Sequence, residues 1–297
     1  MKMNIIELHA EFCQEAEVIK NFRPSTIDYY RNSIKYFLKW FPLEFIDEIN
    51  TENLRSFLYK GRIERKWTAD TFIHHYKSLR AFFKWCLQRG YLSSNPILPI
   101  EKPRLEKKLP KRITKQEAQL VLEYSFNLKA TYRFERYRNR GVIGVMIYAG
   151  LRAGEVMNLK MGDVDLKNNV ISVNQGKGGK DRIVPICLSL QRILLEYVKD
   201  RERLNRKCIN FFASVHGDIP FTYNGLKRVI KTLKEETGVN FSAHRLRHTF
   251  ATLMLEGGCD LFSLQKMMGH SDIKTTTIYL STTVIHLQEQ IRKHPLG

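Results

Sequence analysis

The chain has 297 residues, and 49 Lys and Arg against 30 Asp and Glu give it a formal charge of +19. At about 150 residues per domain, that length accommodates one large or two modest domains. Hydrophobic residues make up 43% and aromatic residues 11%, enough to bury a core and to exclude a disordered basic tail.

The first third of the sequence is helical. Asn4 to Ile19 and Thr51 to Lys60 read as short helices, and Pro24-Ser25-Thr26 opens a longer one in which Ile27, Tyr30, Ile34, Phe37, Leu38 and Phe41 recur at steps of three and four. A second long helix is predicted after Thr68, with Phe72, Tyr76, Leu79, Phe82, Phe83 and Leu87 on one face and a stop at Gly90. The interleaved Arg31, Lys35, Lys39, Lys77, Arg80 and Lys84 form a solvated face, or a phosphate-facing one if the partner is DNA. We divide the chain into a helical domain over 1–95, a linker over 96–112 and a second domain over 113–297. The linker carries Pro96, Pro99, Pro103 and Pro110, which cannot continue a helix. It is also basic, and Lys107, Lys108, Lys111 and Arg112 are its candidate DNA-binding residues.

Beyond the linker, Thr114 caps a helix with Glu117 at the capping-box position, and a helix from about Arg138 runs to Gly150. The period then changes to two. Val164–Leu166, Val170–Asn174 and Arg182–Ile186 read as three antiparallel strands, joined by turns at Asn168-Asn169 and Gly176–Gly179. Helices return at Ser189–Asn205, Tyr223–Thr237, Ala243–Glu256, Leu261–Met268 and Ser271–Leu280. The fold class is therefore mainly α: an all-helical N-terminal domain, then a mostly helical domain with one small three-stranded antiparallel sheet. No β-α-β alternation appears, and Lys177 sits in a Gly-rich turn without the phosphate-loop spacing, so a dinucleotide or nucleotide triphosphate fold is disfavoured.

The most conspicuous uncharged run, Gly141 to Leu151, falls short of the roughly 20 apolar residues that span a bilayer. The first residues contain no apolar stretch of the kind a signal peptide needs, so none is expected. Five cysteines (Cys13, Cys86, Cys187, Cys208, Cys259) are widely spaced with no C-x-x-C pair, which fits free thiols in the cytoplasm better than a disulfide framework or a zinc ribbon. The strong positive charge points to a polyanion, and no basic amphipathic segment of the lipid-binding kind competes with nucleic acid for that role.

Candidate chemistry concentrates in the second domain. In Ser242-Ala243-His244-Arg245-Leu246-Arg247-His248, helical spacing puts His244, Arg247 and His248 on one face. A metal site is disfavoured, because Arg245 stands where a zinc-helix glutamate would and Arg247 would repel a cation. A guanidinium beside imidazoles suits a phosphate, one supplying a fork and the other a proton-transfer group near pH 7. Three further elements join them: Arg152 in Gly150-Leu151-Arg152-Ala153-Gly154-Glu155, Lys177 in its glycine-rich turn, and Met268-Gly269-His270 with Tyr279 nine residues later. Glu155 reads as a structural partner that orients the arginine segment.

In that order Arg152, Lys177, His244, Arg247, His270 and Tyr279 resemble the tyrosine recombinase (phage integrase) family. Its marks are an Arg in a G-L-R-x-x-E box, a hairpin Lys, H-x-x-R, a Gly-His box and a Tyr soon after. Ala149 stands where Thr is common and Met268 where Leu is common, neither at a reacting position. The N-terminal helices look like the family's core-binding (SAM-like) domain, and Arg292-Lys293-His294-Pro295 is similar to the ending of Xer-type members. The resemblance implies site-specific recombination of double-stranded DNA through a covalent 3′-phosphotyrosine, with no metal, no ATP and no other cofactor. All six residues would be catalytic, with Tyr279 the nucleophile. It also implies a monomer in solution that assembles on two DNA sites as a homo-tetramer, or as a hetero-tetramer with a related recombinase. Val284, Ile285, Leu287 and Ile291 recur at roughly helical spacing, and this apolar face either folds back on its own domain or, as the resemblance implies, packs on the neighbouring subunit. A type IB topoisomerase uses a similar residue set, and a non-catalytic DNA-binding relative would keep the fold, so both remain alternatives.

Overall fold

The computed structural model describes residues 3–105, 112–128, 132–174 and 181–270, and the chain divides into two compact units, Met1–Lys107 and Lys108–Gly297.

The first unit is built from α1 (Ile5–Val18), α2 (Pro24–Trp40), α3 (Thr51–Ile63) and α4 (Ala69–Gln88). Local chemistry sets their ends. The Asn4 side chain accepts from the N–H groups of Ile6 and Glu7, Asn50 from those of Glu52 and Asn53, and Thr68 from that of Thr71. Gly90, at φ +76°, turns the chain out of α4. Phe12, Phe37, Phe57, Phe72, Phe82 and Phe83 are buried together with Leu54, Leu58 and Leu79. Glu15 ties α1 to α4 by accepting from Trp85 Nε1 at 2.7 Å and Arg89 Nη2 at 2.6 Å. Arg31, Lys35, Lys39, Lys77, Arg80 and Lys84 are all exposed. Ile97 and Ile100 are buried in this same core, and Thr51 Oγ1 donates to the Pro96 carbonyl at 2.8 Å, so the proline-rich segment begins as part of the unit's packing.

The second unit contains α5 (Lys115–Asn127), α6 (Arg133–Tyr148), α7 (Ala153–Asn158), α8 (Leu188–Arg203), α9 (Tyr223–Thr237), α10 (Ala243–Glu256) and α11 (Leu261–Met268). Its sheet has the order β1-β2-β3, with β1 (Val164–Asp165), β2 (Val170–Val173) and β3 (Arg182–Pro185) all antiparallel and Ile171 opposite both Val164 and Val184. The expected capping box at Thr114 is present: Glu117 N–H donates to Thr114 Oγ1 at 3.1 Å and Thr114 N–H to Glu117 Oε2 at 2.7 Å. Helix α6 is the centre of this unit. Gly141 to Ile147 is continuously buried, and α5, α8 and α10 pack around it. An added Cβ at Gly144 would lie 3.3 Å from Leu190, so glycine lets α8 approach closely.

The expected start of α6 near Arg138 is one turn and a half too late. Its first turn sets Phe134 alone among the charged Arg133, Glu135 and Arg136 and has no side-chain N-cap, yet Phe134 is buried in the core, and Arg138 is buried too, with its guanidinium 4.2 Å from the centre of the Phe221 ring and bonded to Asn139. The structure adds α7, a single turn and a half that periodicity does not reveal, and ends each predicted strand one residue earlier. The turn at Gly176–Gly179, the helix expected over 271–280 and the tail lie outside the described residues. Among the described residues no helix is long and apolar enough to cross a membrane.

Candidate active site

The site begins where α6 ends. Gly150 has φ +61°, and a Cβ there would fall 2.2 Å from Phe250 Cδ1, so the turn demands glycine on both counts. This turn delivers Arg152 to the start of α7. Glu155, three residues on, folds back over it: Oε2 accepts from the Arg152 backbone N–H and Oε1 from Arg152 Nη1, both at 2.7 Å.

Helix α10 supplies the second arginine. Ser242 caps it by accepting from Arg245 N–H, while Leu246 and Phe250 bury its inner face. The rings of His244 and His248 meet edge-on at 4.1 Å. Arg247 is only 3% exposed. Its Nη1 donates to the Gly150 carbonyl at 2.6 Å, and its Nη2 donates to the Met268 carbonyl and to His270 Nε2, the latter at 3.3 Å. A guanidinium has no acceptor, so His270 Nε2 offers its lone pair and the ring is a neutral imidazole protonated at Nδ1.

The C-terminus of α11 joins these pieces. A helix end leaves carbonyls without intrahelical partners and carries partial negative charge. Three successive carbonyls here accept from three arginines: Met267 from Arg182 Nε at 2.7 Å, Met268 from Arg247, and Gly269 from Arg152 Nη2 at 3.3 Å. Gly269 closes the helix in the left-handed conformation at φ +62°, and a Cβ on it would press on Arg182 Cδ at 2.9 Å. His270 follows directly.

The electrostatics suit an anion. Burial works against ionising Glu155, but the hydrogen bonds from Arg182 and Arg152 outweigh it and hold the carboxyl down at about 2. His270 and His248 are both pushed down to about 4. Burial is the main cause for each, followed by Arg247 and Arg152 for His270 and by His244 and Arg247 for His248. Partial burial, then Arg247 and Arg152, also lowers His244. Near neutral pH all three imidazoles are uncharged, able to accept a proton or a hydrogen bond, while the guanidiniums stay cationic. Among the described residues no three His, Cys, Asp or Glu side chains gather as a metal site.

Of the six residues singled out from sequence, Arg152, His244, Arg247 and His270 lie in this one cluster. Lys177 and Tyr279 lie outside the described residues, as do Lys107, Lys108 and Lys111. Arg112 pairs with Glu256 at 2.8 Å. Sequence reasoning gave Glu155 its orienting role but missed Arg182, which holds Glu155 through both oxygens, Nη1 to Oε1 at 2.9 Å and Nη2 to Oε2 at 2.8 Å. The available signal was an arginine opening a strand straight after a glycine-rich turn, in a segment read only for its alternation.

Comparison with known proteins agrees with the geometry. Residues 111–285 match the phage integrase family and residues 8–92 match the phage integrase N-terminal SAM-like domain. Tyrosine recombinase XerD of Oceanobacillus iheyensis is 32% identical over 84% of this chain and 84% of its own length. Tyrosine recombinase XerD of Listeria innocua is 30% identical over 97% of this chain and 99% of its own. The fold resembles that of XerH site-specific recombinase bound to palindromic difH substrate, with a TM-score of 0.74 and 23% identity over 95% of this chain and 82% of that one. These matches support recombination rather than supercoil relaxation. With two family models covering both units and full-length relatives on this scale, the chain belongs to the phage integrase family of tyrosine recombinases, enzymes that break and rejoin DNA at specific sites.

Proposed function

We propose that Arg152 and Arg247 clamp the scissile phosphate of a specific double-stranded DNA site. The observation that carries this reading is the convergence of both guanidiniums on the end of α11, beside His270 and within the electrostatic reach of His244. Charge accumulates on the equatorial oxygens of a pentacoordinate phosphorus, and preorganised forks stabilise it without reorganising. Tyr279 attacks phosphorus as phenolate, and its proton passes to the neutral imidazole of His244. The bond from phosphorus to the 5′ oxygen breaks, and Lys177 protonates that oxygen as it leaves. His270 supports a non-bridging oxygen. The products are a 3′-phosphotyrosine and a free 5′-hydroxyl, and attack by the 5′-hydroxyl of a second duplex reverses the step. One ester is exchanged for another, so the chemistry runs without ATP.

The exposed basic face of the first unit and the basic segment around Lys107, Lys108, Lys111 and Arg112 carry the backbone of the DNA in this reading, with the 1–95, 96–112 and 113–297 segments serving as DNA-binding domain, linker and catalytic domain. The protein is a cytoplasmic monomer that pairs on one site and forms a tetramer across two, of one chain or with a related recombinase. Support comes from XerH, whose substrate is a palindrome, since a palindrome presents two equivalent half-sites to a symmetric pair. Chromosome-dimer resolution and mobile-element integration or excision share this chemistry.

The test uses a nicked duplex selected from a randomised library for binding by the wild-type protein. Wild type should become covalently attached to it, and two-site substrates carrying the same sequence should exchange strands. Tyr279→Phe should bind with unchanged affinity and form no adduct. Adduct of normal yield from that variant would move the nucleophile elsewhere, and attachment without two-site exchange would overturn the recombination reading.

A further inference from the structure

The carboxylate of Glu155 sits among three guanidiniums. Four hydrogen bonds reach it, two from Arg152 and two from Arg182, and Arg247 Nη1 stands 3.8 Å from Oε2 without making a fifth. Two carboxylate oxygens offer about four lone-pair sites, so Arg152 and Arg182 between them fill the group. Arg182 differs from the other two arginines in what it touches. Its fork is committed to Glu155 and its Nε to Met267, whereas Arg247, 3% exposed against 8% for Arg182, turns its fork to the carbonyls of Gly150 and Met268 and to His270, and Arg152 is 27% exposed. Each of its three nitrogens is therefore engaged by protein atoms.

We propose that Arg182 is a positioning residue for DNA cleavage: by occupying both oxygens of Glu155 and the Met267 carbonyl, it keeps that carboxylate from competing with the scissile phosphate for Arg152 and Arg247. The inference rests on the arginine-clamp reading above. Its physical content is a charge balance. Three guanidiniums around one carboxylate leave two positive charges in excess for an incoming phosphate. Without Arg182 the excess falls to one, and Glu155 is left with two vacant acceptor sites facing Arg152 at 2.7 Å and Arg247 at 3.8 Å. In a partly buried site, a carboxylate so exposed draws both forks toward itself, because charge-assisted hydrogen bonds to carboxylate and phosphate are of similar strength. Glu155 is needed to hold Arg152 on α7, and Arg182 makes that holding compatible with phosphate binding.

A double-mutant cycle distinguishes this from simple loss of packing. Single-turnover attachment to the selected nicked duplex is measured for Arg182→Met, Glu155→Gln and the double variant, with gel-shift affinity and melting temperature alongside. Arg182→Met should bind DNA normally but attach about 100-fold more slowly, the scale of losing an oxyanion donor. Glu155→Gln, which keeps one acceptor oxygen for Arg152 N–H, should lose about tenfold or less. The double variant restores the excess of two positive charges, so it should recover to within about threefold of Glu155→Gln alone, a large non-additivity for residues in contact. Losses that multiply in the double variant would overturn the proposal. So would Arg182→Met cleaving within about threefold of wild type. Should Arg182→Met fail to fold, Arg182→Lys against Arg182→Gln carries the same question: the charged variant must exceed the neutral one by about tenfold or more. Arg152→Ala is run in parallel. If it cleaves normally the clamp itself fails, whereas a dead Arg152→Ala beside an active Arg182→Met defeats only the role of Arg182.

Discussion

The two units bury different things. In the first, the buried polar side chains are His9, Ser33, Ser78 and Asn95, none of them permanently charged, and the core is a cluster of phenylalanines. In the second, Arg138, Asp200, Arg201 and Arg247 are all buried. A buried charge needs hydrogen bonds or an opposite charge beside it, and Asp200 has Arg203 Nε at 2.8 Å from Oδ1. Arg201 donates to the carbonyls of Phe211 and Cys208, Arg138 bonds Asn139 and stacks on Phe221, and Arg247 bonds Gly150 and Met268. The first unit needs a rigid surface to present exposed cations. The second needs cations fixed before substrate arrives, and it fixes Arg247 on the carbonyls of Gly150 and Met268, the latter at a helix end where intrahelical partners run out.

The sharpest way to break this contrast is to remove the arginines. Arg152→Ala and Arg247→Ala should each lower the rate of covalent attachment by about 100-fold or more, roughly 3 kcal/mol of lost transition-state stabilisation, with little change in DNA affinity. Their stabilities should differ. Arg152 is partly exposed, so its loss should leave the melting temperature nearly unchanged. Arg247→Ala strands two carbonyls, and each buried group left unpaired costs about 1–3 kcal/mol. If both variants melted alike, the buried arginine would have no structural duty.

A second comparison uses two glycines in the same conformation. Gly150 in the second unit has φ +61° and an added Cβ would fall 2.2 Å from the Phe250 ring, while Gly90 in the first unit has φ +76° with nothing near. Gly90→Ala should cost about 1–2 kcal/mol, the strain of a left-handed alanine alone. Gly150→Ala adds overpacking of about 1–3 kcal/mol to that strain and also displaces the carbonyl that holds Arg247. Equal shifts in denaturant midpoint for the two would show that the ring yields freely.

Much of this architecture is legible in the sequence, and the exceptions share a cause. Helices α4, α9 and α10 carry both an apolar period and an end signal, Thr68 and Gly90 for the first, Thr222 and Gly238 for the second, Ser242 and Gly257 for the third. The first turn of α6 has Phe134 as its single apolar residue and no side-chain cap at Tyr132, and the burial of Arg138 that follows depends on Phe221, 83 residues further along the chain. The clustered Arg152, His244, Arg247 and His270 are readable because their spacing is local to short motifs. Arg182 is not, since its meaning lies in Glu155, 27 residues before it, and Met267, 85 residues after it. Pairings across such distances leave no periodic trace.

Acid separates the units in another way. His9 in the first is pushed down to about 4, mainly by burial and secondarily by Arg31, and it packs edge-on to Phe82 at 4.9 Å. Its folded value lies below the ordinary 6.5, so the unfolded chain binds the extra proton. Stability from keeping His9 neutral is complete above about 6.5, falls as pH drops, and is fully lost below about 4, an effect on the order of 3 kcal/mol. His270 has the same depressed value, but arginines contribute to it, and a bound phosphate offsets them. Lowering pH from about 6.5 to 4 should therefore lower the melting temperature of the free protein, and His9→Gln should reduce that slope. A slope unaltered by His9→Gln would mean that His9 does not stay neutral in the fold.

The smallest effect concerns the basic segment between the units. Lys107, Lys108, Lys111 and Arg112 carry four of the positive charges there, but they are not equivalent, because Arg112 is already paired with Glu256 at 2.8 Å. Each lysine that neutralises a phosphate releases a counterion, and the slope of log affinity against log salt changes by about 0.9 for every phosphate that is no longer neutralised. Replacing the three lysines with Gln should flatten the slope by up to about 2.7, whereas Arg112→Gln alone should change it by less than about 0.9, since its charge is shared with a carboxylate. Gel shifts from about 50 to 200 mM KCl on the selected duplex measure both. The attachment rate of bound protein should not move in either variant, because the proposed role of these residues is to hold the DNA backbone and not to act on the reacting phosphate. A slope that stays the same after all four substitutions would mean that the segment stands away from the DNA and that the surfaces of the two units hold it without help.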